Sequence, residues 1–452
     1  MKNKIKNAYE MYAYNPLTDG VYYMNGVPYR YGEDFRNVER YKEYLDCGFT
    51  MLQVRYENAY SGEEWETSNT KLVCDRAYAA GVRKLLISDN RIDQLIEELD
   101  IIGEGKRFNN EAELDETLRE WVAPYKDVPG FYGIQVLDEP EWKEMTAYGH
   151  VVRSLKRILP NAYLQCNINS FHPAIPGVDD YYEAYRRYVD RFFEETQLDH
   201  ICFDEYPFRK EYIISGNVLR GYPILVEKCK KYGAELHSIM QSIAWVKGGK
   251  VICRPVNESD MYWQTNVGIG FGVTEFSWYT YMPKAGFRYD TGRGDGVNGA
   301  SFLNHDGSKT NLFHYTKRIM AEMQEFAPIA LQYKYDNAYI ITEAGKTMAD
   351  FDWTKLSTLN QECPFPVRID KGVALVTEQR NGDDKLIMIE NLSNVKDELF
   401  DNASPAKLEF ELPEGEKTFY FRGKKIEVEQ INGVFYREMK VGDAIFVEIK
   451  QL

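Results

Sequence analysis

Short apolar runs alternate with amphipathic stretches over the first three quarters of this chain, and that alternation restricts the fold more than any single residue. The runs occupy 49–56, 82–88, 131–137, 162–167, 200–203, 236–241 and 271–278. Amphipathic stretches lie among them at 37–45, 69–80, 141–159, 181–195, 219–232 and 260–268. Strands separated by helices pair in parallel, with the helices covering the sheet. An eighth strand is expected before Gly20, near residues 9–14. Eight βα units in about 250–330 residues fit a (β/α)8 barrel better than an open doubly wound sheet. No Gly-rich phosphate fingerprint follows the early strands, which argues against nucleotide binding. The glycines of Gly292-Arg293-Gly294-Asp295-Gly296 lack a strand-to-helix context and read as a long loop.

After about Phe326 the pattern changes. Short strand-like runs at 373–376, 386–389, 408–412, 419–421 and 444–449 are separated by Gly, Asn, Asp or Pro turns, and several alternate apolar with polar. That is the pattern of an antiparallel β-sandwich. The expected organisation is a catalytic (β/α)8 TIM barrel over 1–326, a bridging segment over 327–366 and a β-sandwich over 367–452.

Composition narrows the function classes. A formal net charge of −15 argues against nucleic acid and anionic membrane as partners, since the mean field repels both. No apolar run of ~18 residues is present, so no membrane span is expected. The first seven residues are basic but no apolar segment follows, so no signal peptide is read here and a cytoplasmic location is expected. Cys47, Cys74, Cys166, Cys202, Cys229, Cys253 and Cys363 are scattered singly, which reads as reduced thiols rather than disulfides or structural zinc. The six histidines, His172 and His305 among them, form no HExxH or paired metal set. No metal or cofactor is expected. A homo-oligomer is compatible with the sequence. The 34 Tyr, 23 Phe and 7 Trp are either large core residues with polar tips or rings that stack on sugar faces.

Gly133-Ile134-Gln135-Val136-Leu137-Asp138-Glu139-Pro140 concentrates the chemistry. An apolar run ends in two carboxylates and a proline, which cannot continue a central strand. Asp138 and Glu139 are thereby set at the carboxyl end of a buried strand, where barrel enzymes carry their catalytic groups. The plainer reading is helix capping, because acids before a first turn favour the dipole. Two further strands end alike. The segment 200–208 carries Asp204 and Glu205 before Tyr206 and Pro207, and 271–281 carries Glu275 before Trp278, Tyr279 and Tyr281. Three carboxylate-bearing strand ends converging on one barrel rim suit acid/base chemistry, and a facing pair suits glycosidic cleavage. Arg55, at the end of the second strand, either neutralises a carboxylate, binds a hydroxyl or forms a surface ion pair. Asn167 and Asn169 are sugar hydrogen-bonders or turn residues. Tyr206, Trp278 and Tyr281 are candidates for lining the same rim, or for plain packing.

Asp138-Glu139-Pro140 after an apolar strand resembles the fourth-strand acid/base motif, usually Asn-Glu-Pro, of the large clan of (β/α)8 retaining glycoside hydrolases. The loop and the run 300–312 resemble the end of the barrel in beta-galactosidase-like (family 42-like) proteins, where a β-sandwich follows. The match covers roughly residues 1–326. It implies an enzyme cleaving O-glycosidic bonds in a carbohydrate substrate, with Glu139 as general acid/base and Asp138 holding a sugar hydroxyl. Its nucleophile would be a Glu at the end of strand seven, where this chain has Gln241. An amide is a poor nucleophile but can orient a substrate. Three arrangements stay open. Asp204 or Glu275 takes the second role, which is favoured; the substrate supplies its own nucleophile; or the barrel binds carbohydrate without cutting it.

Overall fold

A computed structural model describes residues 6–14, 17–19, 21–24, 27–30, 33–56, 59, 62–171, 175–209, 215–247, 250–283, 301–304, 306–351, 359, 362–393 and 405–451. Gly292 to Gly296, His172 and His305 lie outside them. The chain divides into two compact units, one of residues 10–204 with 227–239, the other of 1–9, 205–226 and 240–452.

The first unit carries strands β1 (Glu10–Ala13), β2 (Leu52–Tyr56), β3 (Leu85–Asp89), β4 (Phe131–Gln135), β5 (Tyr163–Gln165, resumed at Asn167–Ile168) and β6 (His200–Asp204). The start of β7 (Glu235–Gln241) completes it. Helices α1 (Val38–Asp46), α2 (Asn69–Ala80), α3 (Asn90–Glu97), α4 (Glu111–Val122), α5 (Met145–Ile158) and α6 (Tyr181–Thr196) separate the strands. Local signals set the helix ends. Ser68, Asn110 and Asp180 accept from backbone amides at the starts of α2, α4 and α6, and Gly81 closes α2 in the left-handed region with φ 114°.

Strands β2, β3, β4 and β5 pair in parallel in that order, as do Asn167–Ile168, β6 and β7. The register is unforgiving at Gly133, where a Cβ would run into the carbonyl of Tyr163 on the neighbouring strand. Strand and helix interiors bury Leu85, Ile87, Ile134, Val151, Leu155, Tyr185, Val189 and Phe192.

The second unit holds α7's first half (helix Asn217–Tyr232), α8 (Glu258–Gly270), β8 (Val273–Tyr279), α9 (Asn311–Ala330) and the antiparallel strands. A six-stranded sheet runs in the order Lys334–Thr342, Val373–Asn381, Asp384–Asn391, Ala444–Lys450, Glu416–Phe421, Lys424–Ile426. A four-stranded sheet runs Val367–Ile369, Ala406–Phe410, Val434–Met439, Glu429–Ile431. Ile387, Ile389, Val376, Leu408, Phe410, Phe435, Ile445 and Val447 fill one sandwich core. Strand alternation sends Met388 and Gln379 to the opposite face. There Gln379 Nε2 donates to the carbonyls of Ile269 (2.6 Å) and Gly270 (3.0 Å), satisfying the end of α8. Arg422 lies 4.2 Å over the Tyr262 ring, and Phe326 of α9 packs on Tyr420 and Phe446. The sandwich is therefore built onto α8 and α9. Its first strand, Lys334–Thr342, lies within the stretch 327–366 read as a bridge.

All seven cysteines are free and six are buried. Among the described residues no helix is long and apolar enough to cross a membrane.

Candidate active site

Parallel register brings the candidate residues of the first unit to one rim. Arg55 lies opposite Ser88 near the end of β3, and Ser88 lies opposite Gln135 at the end of β4. Gln135 lies opposite Gln165, Asn167 opposite Cys202, and Asp204 opposite Ile239. Arg55, Asp138, Glu139, Asn167 and Asp204 thus stand at or just beyond the carboxyl ends of neighbouring parallel strands. Asp138 and Glu139 are exposed, and Asp204 is buried.

The acid pair does not cap α5. That helix starts at Met145, and its preceding residue makes no side-chain cap. Instead Asp138 Oδ1 accepts from Asn167 Nδ2 at 2.9 Å, and the Glu139 amide donates to the Asn167 carbonyl at 3.1 Å. Asn167 joins the two strand ends through its backbone and its side chain at once. Glu139 adopts a left-handed backbone, φ 51°, which a non-glycine residue takes only when neighbouring bonds hold it. Asn169 Nδ2 donates to the Glu139 carbonyl at 3.0 Å, and the Tyr188 hydroxyl donates to the Pro140 carbonyl at 2.6 Å. Burial raises the Tyr188 phenol pKa; hydrogen bonds from Asn169 oppose this, and the nearby charges of Glu139 and Asp204 add to it.

Asp93 was not singled out in the sequence, yet it shares this electrostatic neighbourhood. It sits one turn into α3, just past the end of β3. Burial pushes its carboxyl up to about 7, helped by the charges of Asp89 and Asp138 and opposed by Arg55. Its buried Oδ1 has no hydrogen-bond partner among the described residues. Asp89, by contrast, is held by Arg91 and by the Tyr125 hydroxyl at 2.9 Å. The only sequence signal for Asp93 is a carboxylate one helical turn beyond a strand end.

The remaining candidates belong to the second unit. Glu205 is buried beside Arg209 (2.8 Å), and burial raises its carboxyl against the pull of Arg209 and Arg220. Glu275 is buried within β8. Gln241 is fully buried, and its amide is committed to backbone. Its Oε1 accepts from the Phe208 amide at 3.0 Å, and its Nε2 donates to the carbonyls of Arg254 (3.0 Å), Ile243 (3.2 Å) and Phe208 (3.4 Å). Gln264 brackets the Gln241 backbone from both sides. Trp278 and Tyr281 are fully buried, with Trp278 stacked on Phe276 and Tyr281 on Phe302; Tyr206, against Tyr279, stays partly exposed. Among the described residues no group of three His, Cys, Asp or Glu side chains is arranged to hold a metal.

Solved structures share this architecture. An alpha-amylase from Geobacillus thermoleovorans, crystallised with acarbose, matches at 11% identity and a TM-score of 0.53 over 100% of both chains. A glycoside hydrolase matches at 12% identity and a TM-score of 0.51, covering 98% of this chain and 97% of that one. A glycoside hydrolase family 5 protein from Bacteroides vulgatus matches at 13% identity and a TM-score of 0.50, covering 97% and 95%. The fold is a (β/α)8 barrel followed by an antiparallel β-sandwich. No family model matches the sequence, and no curated protein matches it. At such identities the likeness carries the fold alone, and the chemistry rests on the residues of this rim.

Proposed function

We propose that this chain is a glycoside hydrolase that cleaves an O-glycosidic bond by carboxylate catalysis, with Glu139 as general acid/base. The observation that carries the reading is the placement of Glu139. It lies just past the fourth parallel strand, exposed, in a left-handed backbone bonded to Asn167 and Asn169 at the end of the neighbouring strand. In such a reaction one carboxyl protonates the departing oxygen while a second attacks the anomeric carbon or activates water. Asp204, at the end of β6 in the same unit, is the second carboxylate of this proposal. Arg55 and Asp138 supply the ionic and hydrogen-bonding groups for sugar hydroxyls. The finer reading, a beta-galactosidase-like (family 42-like) enzyme, rests on Asp138-Glu139-Pro140 and the run 300–312.

One observation favours a second reading, a carbohydrate-binding barrel without turnover. Gln241 stands where the resembling clan carries its nucleophile, and its amide is bonded to backbone. A panel of aryl glycosides separates the two. Under the first reading some member is hydrolysed, and Glu139→Gln lowers kcat at least ~10²-fold. Sugar binding by calorimetry without turnover of any member supports the second.

A further inference from the structure

We infer that Asn169 and Tyr188 are positioning residues for Glu139, forming a clamp that sets the direction of its carboxyl group; this rests on the reading of Glu139 as the general acid. A non-glycine residue in the left-handed region brings its Cβ too close to the following carbonyl oxygen, a steric cost that the surrounding bonds must offset. Glu139 stays there because its carbonyl, its amide and the next carbonyl are all bonded. Asn169 Nδ2 reaches the Glu139 carbonyl at 3.0 Å and the Pro140 carbonyl at 3.3 Å. Pro140 has no amide hydrogen, so its carbonyl is its backbone handle. The Tyr188 hydroxyl donates to that carbonyl at 2.6 Å and accepts from the Asn169 amide (3.3 Å) and Nδ2 (3.4 Å). One donor and two acceptor sites are the whole capacity of a phenol oxygen, and all three are used.

The clamp has a rigid base. Tyr188 is fully buried on α6, and Arg191, one turn later on the same face, donates to the Trp142 carbonyl at 2.8 Å. Two side chains of one helix therefore hold carbonyls on either side of Glu141, while β5's end holds Glu139 itself. Glu139 is exposed, so the direction of its side chain depends on the backbone that these bonds fix.

Tyr188→Phe and Asn169→Ala test this beside Glu139→Gln. A 4-nitrophenyl glycoside turned over by the wild type is compared with the 2,4-dinitrophenyl glycoside of the same sugar, whose leaving group departs without a proton. The clamp variants are expected to lose about 10- to 100-fold in kcat on the first substrate, with KM within about twofold. The loss is expected to be much smaller on the second. Adding Tyr188→Phe to Glu139→Gln is expected to cost nothing more, since the clamp acts through Glu139. Full turnover by Glu139→Gln removes the underlying reading. A damaged Glu139→Gln with unaffected or fully additive clamp variants overturns the clamp alone. A crystal structure of the Asn169→Ala/Tyr188→Phe double variant decides without any substrate. Glu139 is expected to leave the left-handed region, and an unchanged Glu139 overturns the inference.

Discussion

Asn167 Nδ2 donates to Asp138 Oδ1 at 2.9 Å, so the carboxylate beside Glu139 is held from the neighbouring strand. Asp138 in turn sets a hydrogen-bond acceptor beside the proposed general acid, where a sugar hydroxyl can meet it. Asp138→Asn keeps an acceptor for Asn167 and removes the charge. Because the amide keeps an oxygen for Asn167 and can still meet a sugar hydroxyl, KM on an aryl glycoside turned over by the wild type is expected to stay within about threefold, whereas Asp138→Ala, which removes both bonds, is expected to raise it by about tenfold. The thermal stability of Asp138→Asn is expected to change little.

Asp93 makes stability fall with pH. Its carboxyl is raised to about 7 in the folded chain, against ~3.9 in a free chain. The folded state therefore holds the proton more tightly, and stability declines as pH rises from about 4 to about 7. The loss is at most about 4 kcal/mol at ~1.4 kcal/mol per unit. Asp93→Asn is expected to flatten that decline, so urea melts at pH 5 and pH 8 should differ less in the variant than in the wild type. Arg55→Ala is expected to steepen it, because Arg55 opposes the shift.

Gln241 tests whether the seventh strand is a lost nucleophile position. Three carbonyls receive its Nε2 protons, and a carboxylate has none to give. Gln241→Glu is expected to destabilise by about 2–4 kcal/mol at pH 8, less at pH 5 where the new acid is protonated, with no gain in turnover. A stable variant with raised kcat on aryl glycosides would contradict this.

The barrel was legible because buried parallel strands are apolar runs and the covering helices are amphipathic; β1 falls within the stretch 9–14 where an eighth strand is expected. The rim carboxylates were legible for a related reason, since acids that end such a run in Asp138, Glu139 and Asp204 stand out against it. What surrounds them was not. Tyr188 meets Pro140 from 48 positions away. The Asp93 carboxyl is raised by burial and by charges from β3 and the β4 loop, none of which periodicity reports. The role of Gln241 depends on Phe208 and Arg254, brought to it by chain segments on either side in sequence. Trp278 and Tyr281 read equally as stacking platforms or core, and they are buried.

Glu390 gives the sandwich its own pH dependence. It lies on the sheet strand Asp384–Asn391, fully buried, with neither carboxyl oxygen bonded to a partner among the described residues. Burial raises its pKa well above the usual carboxylate range, and the charge of Asp443, itself held by Arg422 at 3.0 Å, raises it further. The sign follows that of Asp93: the folded state keeps the proton, so stability is full below ~4.3 and is lost as pH rises towards the folded value. Glu390→Met removes both the proton and the buried unbonded oxygens. Denaturant melts at pH 4.5 and pH 8 are expected to show the variant gaining on the wild type as pH rises. A wild type whose sandwich stability is flat over that range, with Glu390→Met showing no gain at pH 8, would mean that Glu390 finds a partner the described residues do not include.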